Sequence, residues 1–454
     1  MFYRSYYRAV VLVLGLFCCS TEASDGEDLL LLIPSIISSS ASGPQLPPTP
    51  SAQNLCNGFI VDDKSDRPMT ALAKPLPGAS YTDPVFGSKI TRITNSNAIS
   101  SGIIKTLYST IQAWNADETR LILWHRGQGH YLYDGKSYAL IEALEIDPAD
   151  IEQVFWDTSN PDILYYPNQA NGQQVNTAAG SVRLAGNELI EYNIETKLYR
   201  VIKDFNSTCT DERITAGNDV QMPAYDNDNF GLRCGDRALT YRVSTNTTNL
   251  LDGPAEFTAP QPLPSGQRIY HQGRVLDEQL KQLRQLDLGN VGEHSSLGRM
   301  HNGNDAYFAI AFSTNQRNSC GDGIGSAIVH DASNGSCRVL VGPSNGYPYS
   351  LSGTHLSALA HRNPGWAAVS SIGYGIEGDT LLEQELYLVN TDPSNLQVCR
   401  IAHHRATGRR GSIGYFAEPH PVISPSGTRV LFSSDWNNSG KVDVFVVELP
   451  AYQP

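Results

Sequence analysis

Charge is scarce in this chain, and positive charge scarcest. Of 454 residues, 17% are Asp, Glu, Lys or Arg, and 46 acids outnumber 33 bases to leave a net charge of −13. That balance argues against nucleic acid as a partner, because a phosphate backbone needs a basic face. An anionic substrate would depend on a local basic patch. The sequence has no GxSxG elbow, P-loop, HExxH or dinucleotide fingerprint, so hydrolase, kinase and metalloprotease readings have no motif behind them. None of the cysteines beyond residue 19 has a Cys-x-x-Cys spacing, which removes the usual zinc-site signature. The apolar runs Ala9–Phe17 and Leu29–Ile33 are both too short to span a bilayer.

The N-terminus is built as an export signal. Arg4 and Arg8 precede the short apolar run Ala9–Phe17, which gives a signal peptide over residues 1–19. Cys18 and Cys19 follow at once and leave open a bacterial lipoprotein signal. The residues before them, Phe17 and Cys18, are not the small ones such a site prefers. The product is then periplasmic, outer-membrane-anchored or secreted in a bacterium, with membrane contact only through a lipid. Residues 20–54 have the Ser/Pro composition of a flexible tether. Residues 55–454 are expected to form a single domain.

Six cysteines remain after the signal, an even count that in an exported chain suggests disulfides. Cys209–Cys234 and Cys320–Cys337 are the local pairings, which leaves Cys56–Cys399. Fifteen connectivities are formally open to six cysteines.

A repeated unit sets the architecture. It is a short strand, a polar turn, then a strand rich in β-branched and aromatic residues. Copies begin at Gln112, Gln153, Gln221, Pro262, His294, His355 and His420. Their spacing of roughly 35 to 70 residues suits four-stranded blades with varied loops. The Asp, Asn and Gly of the turns tolerate the left-handed geometry of tight hairpins. The expected fold is therefore all-β, a seven-bladed β-propeller. Six blades remain the alternative if the copies at Gln221 and Pro262 share one distorted blade. After the last copy there is room for only three strands, so the run Gly87–Thr94 is expected to supply the fourth and close the ring.

The run Ser424–Trp436 (SPSGTRVLFSSDW) resembles the repeat of the TolB/WD40-like bacterial propellers. The strands opened by His294, His355 and His420 resemble those of the propeller polysaccharide lyases, the oligogalacturonate and ulvan lyase type. The resemblance covers about Tyr81 to Leu449 at the level of pattern. It implies a His or Tyr working as base and acid, with Arg or a His-bound divalent metal neutralising a uronate carboxylate. The His/Gln metal grouping of oligogalacturonate lyases has no residue-by-residue counterpart here, which leaves the metal and a pectic substrate open.

Three histidines share one structural position, just before the first strand of a blade: His294, His355 and His420. They should meet near the mouth of the central channel, as ligands for a divalent metal or as base and acid. The plainer alternative makes each a cap that hydrogen-bonds the neighbouring blade. Glu293 and Glu418 lie beside them in sequence. The most basic segment, His403-His404-Arg405 with Arg409-Arg410, is expected in a loop at the mouth. Arg405, helped by His404, would hold a carboxylate or sulfate there. Trp114, Trp156, Tyr225 and Trp436 are read as packing between blades. His125, His130, His301 and His361 are read as structural or turn residues.

Two functions remain open. One is an exported, monomeric polysaccharide lyase that cleaves an acidic polysaccharide or oligosaccharide by β-elimination. The other is a non-catalytic surface propeller that binds glycan or protein partners. Convergence separates them, because a lyase needs His, Tyr and Arg in one pocket.

Overall fold

A computed structural model describes residues 53–453, except 211, 218–220, 252–257, 288–293, 312–319, 321, 323–324, 348–354 and 374. The signal and nearly all of the tether, and Glu293, lie outside these residues. Seven antiparallel sheets follow one another along the chain, and each holds one copy of the repeat, although in the first and third the copies at Gln112 and Gln221 begin after the inner strand. The inner strands are Ile104–Lys105, Phe155–Trp156, Ile214–Thr215, Gln261–Pro262, His294–Arg299, His355–Ser357 and Val422–Ile423. We number the blades 1 to 7 in that order. The sequence copies at Gln221 and Pro262 fall in separate blades, 3 and 4.

Blade 7 is closed from the other end of the chain. Its own strands are Val422–Ile423, Arg429–Ser434 and Asp443–Glu448, and Lys89–Arg92 pairs onto the last in the register Lys89 to Glu448 and Arg92 to Phe445. Ser80–Thr82 adds a fifth strand outside it. Ring closure satisfies an edge that would otherwise expose unpaired backbone groups. A buried carboxylate locks the junction. Asp443 accepts from the Thr94 hydroxyl (2.9 Å) and from the Ser96 amide and hydroxyl (2.8 and 2.9 Å). It also pairs with Lys74 (2.7 Å) and Arg92 (2.8 Å). We expect Asp443→Ala to cost about 3–5 kcal/mol, because it strands two partly or fully buried cations. Urea unfolding measures this, and a loss below about 1 kcal/mol would show that the junction does not rely on the carboxylate.

The three disulfides join Cys56 to Cys399, Cys209 to Cys234 and Cys320 to Cys337. The first ties the start of the domain to the outer strand of blade 6. Aromatic side chains fill the seams between blades. Trp156 of blade 2 donates its indole N–H to the Ala113 carbonyl (2.9 Å), and Trp114 donates to Gly135 (3.2 Å). Trp436 is buried, stacked on Phe445 at 4.9 Å, as core packing requires. In the Ser-Pro-Ser-Gly turn of blade 7, Gly427 has φ +81°, and a Cβ there would lie 2.6 Å from Leu55. Glu118 of blade 1 binds this turn through Arg429 (2.7 Å) and the Ser426 amide (2.6 Å), joining first blade to last.

Candidate functional site

Equivalent positions in successive blades converge on the channel axis, and this convergence builds the site. His294 and His355 open the inner strands of blades 5 and 6, and His420 stands two residues before that of blade 7. The rings of His294 and His355 stack at 4.2 Å, and those of His355 and His420 meet edge to face at 4.4 Å. His355 and His420 are buried, while His294 is partly exposed. Glu418 points one carboxylate oxygen at both, 3.7 Å from His355 Nε2 and 3.6 Å from His420 Nε2. Donor atoms of His355, Glu418 and His420 all lie within 4.8 Å of one another. Two tyrosines complete the enclosure: Tyr108 lies 5.4 Å from His355 and 5.2 Å from His420, and Tyr415 lies 4.8 Å from His420.

Burial sets the protonation of this cluster. It drives the His420 imidazole well below its ordinary range, assisted by positive charge from His355, Lys105 and His294. The ring is therefore neutral and can offer a lone pair, as metal ligation requires. Burial pushes the Glu418 carboxyl up, while Arg409 and Lys105 pull it down. Neither ring nitrogen of His420 has a hydrogen-bond partner among the described residues. Buried polar atoms are rarely left that way. His420 also holds φ +39°, a region that non-glycine residues enter at a cost. A neutral imidazole with orphaned nitrogens beside a buried carboxylate suits a divalent cation.

His294, His355 and Glu418 of the cluster line a cavity of about 500 Å³, while His420 lies behind them and does not line it. Its walls carry His294, His355, Tyr108, Tyr415 and Glu418, with Arg233 and Arg409 as cations and Asp150 and Glu152 as acids. Lys105 is buried in blade 1, pairs with Glu152 at 2.7 Å and lies over the Tyr415 ring at 4.8 Å. The Tyr415 hydroxyl donates to the same Glu152 carboxylate at 3.0 and 3.1 Å.

The basic segment falls elsewhere than expected. His403 ends the outer strand of blade 6, Val398–His403, so His404 and Arg405 follow a strand end and are fully buried. His404 Nε2 bonds the Ser371 carbonyl (3.0 Å) and its Nδ1 accepts from the Ala406 amide (3.0 Å). Burial holds this imidazole down to about 3. Arg405 lies over the Trp436 ring at 5.4 Å and faces Tyr81 and Asp83. Neither residue lines the cavity. Arg409, four residues on, does reach it: its Nε lies 3.2 Å from Glu418 and its side chain is 74% exposed.

Tyr108, Tyr415, Arg233 and the Lys105–Glu152 pair escaped the sequence reading. One signal was available for Lys105, a single charge inside the apolar stretch Ile103–Leu107 leading into the first repeat. His125 and His130 have structural partners, the Tyr133 hydroxyl and the Ile151 carbonyl, both at 2.7 Å.

No protein-family model matches this sequence, and no curated protein resembles it significantly. Solved structures do resemble it in fold. An oligogalacturonate lyase from Vibrio parahaemolyticus is 14% identical with a TM-score of 0.54, over 82% of this chain and 96% of that one. An oligogalacturonate lyase in complex with manganese gives 14% identity and a TM-score of 0.53, over the same shares. At this identity the likeness is one of fold, the seven-bladed propeller.

Proposed function

We propose that this protein is an exported polysaccharide lyase that cleaves a uronate-containing polymer by β-elimination. The carrying observation is convergence: histidines, tyrosines and arginines from distant blades share one cavity wall. Three disulfides agree with an oxidising compartment. The fold likeness to oligogalacturonate lyases, one with manganese, supports the same class.

The reaction removes the proton α to a uronate carboxylate and breaks the C–O bond β to it. The carboxylate must be neutralised before that proton becomes acidic. Arg409 and Arg233, both on the cavity wall, supply the guanidinium forks for this. A divalent metal held by His355, Glu418 and His420, with His294 against them, would add Lewis-acid charge to the same carboxylate. His294 is the proton acceptor, since it lines the cavity and is the least buried of the three. Tyr415 is the proton donor to the leaving oxygen. Lys105 lies over its ring and pairs with Glu152, which accepts from the Tyr415 hydroxyl.

The test incubates residues 53–454 with pectic, alginate and ulvan-type polymers, with and without Mn²⁺, and follows the ultraviolet absorbance of unsaturated product. A rise with one polymer, reduced about 100-fold or more in His294→Ala, is the expected result. Polymer bound but never cleaved would replace the lyase by a binding module.

A further inference from the structure

Among the described residues, blade 2 alone carries an inserted hairpin. Between its second and third strands, Ile163–Pro167 and Glu188–Asn193, stands a separate hairpin of Asn171–Thr177 and Gly180–Ala185. In an antiparallel blade, the second strand ends on the face where the first begins. The hairpin therefore rises from the face that bears the histidines.

Its base is joined to the cavity wall. Ala149 donates its amide to the Pro167 carbonyl at 2.8 Å, and Gln169 bonds Asp147 through backbone (3.1 Å) and side chain (3.0 Å). Ala149 and its neighbour Asp150 line the cavity. From the other side, Arg213 of the approach to blade 3 donates to the Gln169 carbonyl at 2.8 Å.

The hairpin is also anchored. Val175 and Leu184 are buried in the core of blade 2, so one face is fixed. On the other face the pairs Gln174 with Arg183 and Asn176 with Ser181 stand exposed. No acid occurs from Asn171 to Ala185, in a chain with a net charge of −13. Side-chain amides and hydroxyls match the donor and acceptor pairs of sugar hydroxyls, and a guanidinium matches a carboxylate.

We propose that this hairpin is a docking ribbon for the polysaccharide chain beyond the cavity, binding uronate units adjacent to the cleaved one. The proposal rests on the lyase reading and adds that the substrate is a polymer. A chain that leaves the cavity past Asp150 meets an acid-free, amide-rich edge with Arg183 as its cation. A trimer confined to the cavity gains nothing from it.

Binding, measured by calorimetry, tests this without relying on turnover. The probes are polygalacturonate, alginate and ulvan, each beside its own trimer. Two variants of the full domain are compared with the parent: Gln174→Ala/Arg183→Ala, and replacement of residues 171–185 by a short turn. The surface double variant keeps Val175 and Leu184 and so preserves the fold. Expected is a polymer Kd raised about ten-fold with the trimer Kd unchanged. Equal losses for polymer and trimer, or no loss in either variant, overturn the ribbon alone. A parent that binds none of the polymers overturns the ribbon and the lyase reading together.

Discussion

His420→Ala is expected to weaken Mn²⁺ binding by about 100-fold or more, and to abolish elimination with it. Loss of a residue that only supports a ligand already costs 10–100-fold in metal affinity, so loss of a ligand sets that range as a floor. The argument rests on what His420 is without a metal: buried, neutral, orphaned at both nitrogens and held at a positive φ. Its ring also packs on His355, Tyr108 and Tyr415, so the variant's fold is checked by its unfolding midpoint without metal. Glu418→Gln tests the same site by another route, keeping shape while removing the charge that faces both His355 and His420. In the parent, Mn²⁺ at 100 times its Kd should raise unfolding free energy by about 2.7 kcal/mol. Neither variant should show the rise. Both variants retaining Mn²⁺ affinity within a few-fold of the parent would sink the metal assignment, and a lyase without metal would then rest on Arg409 and Arg233.

What was legible in the sequence was what local pattern encodes. Blades repeat a strand and a turn, so seven blades and the shared position of His294, His355 and His420 could be counted along the chain, while the inner strands Ile104–Lys105 and Ile214–Thr215 fell before the copies that marked their blades. Closure by Gly87–Thr94 followed from the count, because blade 7 lacked a strand and pairing must be completed. The Cys56–Cys399 disulfide was the pairing left after the two local ones, and it ties the start of the domain to blade 6. Side-chain groupings made only by the closed ring were not legible. Lys105 and Glu152 lie 47 residues apart and Tyr415 sits in a single 3₁₀ turn, yet the three touch. The basic run at His403 misled for a physical reason. Composition marked a polar loop, but Val398–His403 is a strand, and its end carries His404 and Arg405 inward between blades. The polar exit of that loop came later, at Arg409.

The fold should lose stability in mild acid, between pH 6.5 and 4, before most carboxylates titrate. Burial pulls His125, His330 and His361 down to about 4, and His403 and His404 down to about 3. The ordinary value of 6.5 applies once the chain unfolds. Between these values the unfolded chain binds protons that the folded chain refuses, so stability rises with pH and falls as pH drops. Each such histidine contributes a slope of up to about 1.4 kcal/mol per pH unit. Asp443 adds to the loss only at lower pH, because its carboxyl is held below the usual range by its network despite burial. Glu385 acts in the opposite sense. Burial raises its carboxyl to about 7 against the Arg400 fork, so its contribution is lost as pH rises from 4.5 towards 7. Burial also raises the carboxyls of Glu418, Asp435 and Asp226, which act in the same sense as Glu385. The expected decline is the net of five histidines against these four acids. Urea midpoints measured from pH 7.5 to 4.5 should decline steadily below pH 6.5, and His403→Gln should flatten part of that slope. A midpoint constant across this range would show that these histidines are reached by water or rearrange to accept a proton, and the packing described around them would then be wrong.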